Sequence, residues 1–108
     1  MIRLDFREQA LVNRLVAQRD LTEALNLIGT GTGNIVIDIG SNVATTSWVD
    51  AFLARLVASS DRRITVIVDS DVTRSHIERV FQARGRQIEI ARTEEDVKRG
   101  VVETIPAA

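Results

Sequence analysis

Ile2, Leu4 and Phe6 alternate with Arg3 and Asp5, the period-two pattern of a half-buried strand. Leu11 to Val16 reads either as a second extended piece or as the early start of a helix. From Asp20 the period lengthens. Asp20 is a capping residue type, Glu23 stands three residues on, and Leu21, Ala24, Leu25 and Ile28 recur at helical spacing. Gly31-Thr32-Gly33 is turn chemistry and ends that helix at Gly31 or before. Ile35 to Ile39 is a strand broken by Gly40-Ser41-Asn42, and a helix is predicted from about Ser47 to Ala58 with Trp48, Val49, Phe52, Leu53 and Leu56 on its apolar side. Ile64 to Asp69 repeats the strand pattern. Val72 to Arg84 presents Ile77, Val80 and Phe81 at helical spacing, with Gly85 as its stop. Ile88 to Ile90 is a short strand, and Thr93 caps a last short helix whose first turn holds Glu94, Glu95 and Asp96.

Strands alternating with helices of this length predict βαβ units. The expected fold is α/β: a single small domain with a mixed, mostly parallel sheet of four to five strands and helices mainly on one side. One-sidedness follows from the strand faces. Ile35, Ile37 and Ile39 point one way, as do Ile64, Val66 and Val68, whereas Asp38, Thr65, Asp69 and Glu89 fall on the opposite face. The domain is expected over residues 1–100, and residues 101–108, with the single proline Pro106, are expected to fray.

The 108 residues suffice for one core. A formal net charge of −1 gives no global field for collecting nucleic acid or an anionic membrane, and the 4% aromatic content argues against base-stacking platforms. Cysteine is absent, which excludes disulfides and thiol chemistry. MIRLDFREQ carries charge where an export signal needs an apolar stretch, so the expected compartment is the cytoplasm, with no membrane contact.

Several stretches carry a likeness: Gln18 to Leu25; Ile35 to Phe52, read as IVIDIGSNVATTSWVDAF; Ile64 to Gly85, read as ITVIVDSDVTRSHIERVFQARG; and ARTEEDVKRG. In order and spacing the chain resembles the STAS fold, the domain of anti-sigma-factor antagonists and sulfate-transporter tails, and within it the shorter STAS-like group. The resemblance implies a non-enzymatic regulatory module, without a cofactor, that docks to a serine kinase acting as an anti-sigma factor. It also implies inactivation by phosphorylation at the start of the second helix. The matching positions are Thr45, Thr46 and Ser47, with Asn42, Trp48 and Asp50 as implied partner contacts. A phosphate adds roughly −1.5 to −2 charge, which a helix N-terminus tolerates. The antagonists read Asp-Ser-Ser-Gly here, whereas this chain reads Thr45-Thr46-Ser47-Trp48, and the simpler reading is that Ser47 or Thr46 caps the helix.

The predicted second helix carries only Asp50 and Arg55 as charges, a wider apolar arc than one sheet needs. Trp48 is therefore either core or an outward anchor for a partner or a homodimer contact; the docking reading expects the indole and hydroxyls to face outward. A different chemistry would use Asp38, Asp69 and Asp71 at strand ends to hold Mg²⁺ in a phosphate-handling, Toprim-like enzyme, although no glutamate stands after the first core strand. Otherwise these aspartates end strands, and Asp71 caps the helix from Val72. A nucleotide-binding module is a third reading. His76 reads as plain surface. Arg62, Arg63, Arg74, Arg79, Arg84, Arg86 and Arg92 form either a basic patch or, with Glu78, Glu89, Glu94 and Glu95 among them, an ordinary solvated face.

Overall fold

A computed structural model describes residues 1–30 and 33–106. Its elements run β1 (Ile2–Asp5), α1 (Arg14–Thr30), β2 (Ile35–Gly40), α2 (Thr46–Trp48), a π-helical segment (Val49–Ala54), α3 (Arg55–Ser59), β3 (Ile64–Val68), α4 (Asp71–Arg84), β4 (Ile88–Ala91), α5 (Glu94–Lys98) and β5 (Glu103–Ile105). α2, the π segment and α3 form one continuous helical run.

The sheet has five strands in the order β1-β2-β3-β4-β5. β1 through β4 are parallel, and β5 is antiparallel to β4. Each crossover steps to the next strand in the same direction. Right-handed connections of that kind deliver the helices between the parallel strands to one face. α1, the helical run and α4 accordingly share that face, with the run in the middle, touching both neighbours. The core lies beneath them: Leu4 and Phe6 from β1, Ile35, Ile37 and Ile39 from β2, Ile64, Val66 and Val68 from β3, and Ile88 and Ile90 from β4. α5 lies on the other face, over β3 and β4.

α1 starts six residues before the expected Asp20 cap. Asn13 caps it instead, its Oδ1 accepting from the Val16 amide at 2.9 Å. Just upstream, Leu11 forms an isolated parallel bridge to Ala44 and is fully buried, which resolves Leu11–Val16 as a single extended contact followed by helix. α4 begins at Asp71 with Ser70 as its cap, not Asp71 as expected, because Ser70 Oγ reaches the Thr73 amide. Gly85 ends α4 at φ +64°, and Thr93 Oγ1 caps α5, both as read from the sequence. The expected frayed tail is instead an edge strand through Ile105, which pairs with Ile88 and is 2% exposed; residues 107 and 108 lie outside the described residues, as do Gly31 and Thr32 of the glycine turn. Among the described residues no helix is long and apolar enough to cross a membrane.

Candidate functional site

In a parallel α/β sheet the loops beyond the C-terminal strand ends are the irregular backbone free to carry function. Here the loop from Gly40 to Thr45 is tied on both sides. The Asn42 amide donates to the Phe6 carbonyl at 2.9 Å and the Gln9 carbonyl at 2.7 Å. Thr73, fully buried on α4, donates to the Asn42 carbonyl and accepts from the Ala44 amide. His76 Nδ1 donates to the Ala44 carbonyl at 2.8 Å. His76 is thus half-buried structure rather than plain surface. Asn42 is a stitch between loops, with its amide group spent inside the molecule.

Of the three hydroxyls, Thr45 is also engaged. Its Oγ1 accepts from the Trp48 amide at 3.2 Å and donates to the Val12 carbonyl at 3.1 Å, so Thr45, and not the expected Thr46 or Ser47, is the helix cap. Thr46 and Ser47 follow on the first turn and are half-exposed.

The expectation that the indole faces outward is corrected. Trp48 is 0% exposed, stacked on Phe52 with centroids 4.6 Å apart and edge-on to Phe6 at 5.4 Å. Its Nε1 donates to Asp20 Oδ2 at 3.0 Å, a buried carboxylate on α1. The cause is position. The helical run is the central member of its layer, so the sheet covers one side and α1 and α4 cover the flanks. Those three contacts absorb the whole apolar arc, including Val49, Ala51, Phe52, Leu53, Ala54 and Leu56. Asp50 likewise faces its own molecule: Oδ1 accepts from Arg84 Nε and Oδ2 from Arg14, joining the run to α4 and α1. These two guanidinium groups hold its carboxyl below the usual carboxylate range, the Arg84 bond being the larger effect.

Three of the residues left outward at this end are apolar, among charged and polar ones such as Asp69, Asp71 and Arg92. Val12 and Val43 flank the bridged pair Leu11 and Ala44, and alternation turns them to solvent, at 52% and 49% exposure. Val72, at 52%, precedes the Thr73 that bonds to Asn42 and Ala44. The three valines therefore sit around one hydrogen-bonded knot, beside the half-exposed Thr46 and Ser47. Sequence reading missed them, because they stand singly in separate segments, Val12 and Val43 in loops and Val72 in the first turn of α4.

The three strand-end aspartates do not gather: among the described residues no group of three carboxylate or imidazole side chains is placed to hold a metal ion. Asp38 lies on the opposite sheet face, 4% exposed, against Arg3 and 3.6 Å from Arg7 Nε. Burial pushes its carboxyl above the usual carboxylate range against the pull of both guanidinium groups, and its Oδ1 has no hydrogen-bond partner. Asp69 and Asp71 instead flank Arg92, at 3.5 and 3.7 Å. The arginines are similarly divided: Arg63 faces Glu89, Arg74 faces Glu78 and Glu103, and Arg84 faces Asp50. Intramolecular pairing of this kind fits the solvated-face reading of the C-terminal arginines.

No family model, curated protein or solved structure matches this chain.

Proposed function

We propose that this chain is a non-enzymatic protein-interaction module of the anti-sigma-factor-antagonist type, docking to a kinase or anti-sigma partner through the C-terminal end of its sheet. The observation that carries the reading is the grouping of Val12, Val43 and Val72 at that end, around half-exposed Thr46 and Ser47. Isolated exposed valines are ordinary surface, whereas several sharing one end of a small domain supply the desolvated centre of a contact. The loop beneath them is rigid, since Asn42, Thr45, Thr73 and His76 hold it, and little ordering entropy is lost on binding.

The switch belongs to Thr46 or Ser47 rather than Thr45, whose hydroxyl is spent on the cap. A phosphate there sits at a helix start that tolerates it, and its charge lands amid the apolar contacts of the partner. Phosphorylation would thus break the complex and leave the fold intact.

Affinity capture from the native host with wild type and Val43→Asp side by side tests the reading. The expected result is one stoichiometric kinase-like protein retained by wild type and lost by the variant, with phosphate found by mass spectrometry at Thr46 or Ser47. Retention of the same proteins by both forms would contradict the site. Recovery of no partner by wild type would contradict the function.

A further inference from the structure

The sheet face away from α1 and α4 is covered only in part, by α5 and the segment that follows it. A five-residue helix has no stability of its own. α5 is held by its Thr93 cap and by Glu94, whose carboxylate accepts from Arg3 Nε at 3.2 Å. Between α5, the chain up to Val102 and strands β2 and β3 lies a cavity of about 230 Å³.

Its walls and its mouth differ in chemistry. Val36, Val97 and Val102 make the walls aliphatic, with the buried Thr65 among them. Asn34, Arg63, Lys98 and Glu94 stand among the polar lining. Of the acids nearby, Glu94 is occupied by Arg3 and Glu89 by Arg63. Lys98, the one lysine in the sequence, has no acid partner among the described residues. The cavity therefore pairs an aliphatic interior with one uncompensated positive charge. Its volume lies below the roughly 300–1,000 Å³ of drug-sized sites, which selects a small molecule.

We propose that this cavity binds a short-chain aliphatic carboxylic acid. The hydrocarbon tail lies against Val36, Val97 and Val102, and the carboxylate meets the Lys98 ammonium and the Asn34 amide. Arg63 and Lys98 set against Glu94 leave a net single positive charge at the lining, which matches one negative charge better than a phosphate dianion. The site lies on the face opposite the proposed docking end, so it stands whether or not that reading holds.

The test uses the full chain labelled with ¹⁵N, titrated with butanoate, hexanoate and octanoate. Amide shifts should concentrate at Val36, Thr65, Val97 and Lys98. Affinity should rise roughly four-fold per added methylene until the cavity is full. Hexylamine should bind more weakly than hexanoate, since it brings its charge to a cation. Lys98→Gln, an exposed change, should weaken hexanoate about two- to five-fold, the range of a surface ion pair. Val97→Trp should abolish binding by filling the space, and its circular dichroism shows whether the fold is kept. Should that variant misfold, the comparison of hexylamine with hexanoate on wild type decides. Absence of saturable shifts at millimolar acid, equal binding of hexylamine, or unchanged affinity in Lys98→Gln would overturn the proposal.

Discussion

Trp48 shows how one residue's role depends on a partner that the sequence places elsewhere. Its indole N–H, buried without an acceptor, would cost about 1–3 kcal/mol, and Asp20 supplies that acceptor from α1. Asp20 reads naturally as a cap when the helix is expected to begin there. It also stands three residues after Ala17 and four before Ala24, inside the buried stripe of α1, and a carboxylate in such a stripe signals a buried donor opposite. Trp48→Phe should therefore cost about 2–4 kcal/mol, from lost volume and an orphaned carboxylate, with a clear fall in melting temperature. Asp20→Asn, which can keep an acceptor oxygen, should cost less. Equal, negligible losses by thermal melting would place the indole outside the core. At the same scale, Thr73 was legible after all: it continues the Ile77, Val80 and Phe81 stripe, and it is the buried hydroxyl that ties α4 to the loop after β2.

At the scale of elements, strands β1 to β4 and the glycine stop of α4 are plain in the periodicity, because each is decided by local pattern. The misplacements share a cause: they are decided by distant contacts. α1 begins at Arg14 because the bridge between Leu11 and Ala44 fixes the chain just before Asn13. β5 exists because β4 offers an unpaired edge that Glu103–Ile105 can complete, with Ile105 filling the core behind Ile88. The π segment Val49–Ala54 has no signature in the sequence beyond its apolar excess. Asp50, within that segment, clamps the run to α1 and α4. Its proton affinity is lower folded than unfolded, so its contribution is present above the ordinary carboxylate range and is lost as pH falls from there through the lowered folded value. Asp50→Asn should lower stability by about 0.5–1 kcal/mol at neutral pH, a surface-pair magnitude, and the difference should shrink between roughly pH 5 and pH 3. A difference that stays constant across that range in melting experiments would show that the clamp is not electrostatic.

For the whole molecule, the alternation of strands and helices and the segregation of apolar strand faces were enough to specify a mostly parallel sheet with helices mainly on one side. The topology also explains why the indole of Trp48 turns inward. Consecutive crossovers in one direction bury the second helix between two others, so the residues with the most apolar character, Trp48 and Phe52, serve the core. Exposure passes to residues that carry no motif, such as the valines of two loops and of the first turn of α4. Those valines, with Thr46 and Ser47, are the surface on which the proposed docking rests. Hydrogen–deuterium exchange on the captured complex tests this most directly. The account predicts new protection confined to residues 12–13, 41–47 and the first turn of α4, with the outer face of α1 and the β5 edge unchanged. Protection appearing instead along β5 or the exposed side of α1, with residues 41–47 unaffected, would contradict it.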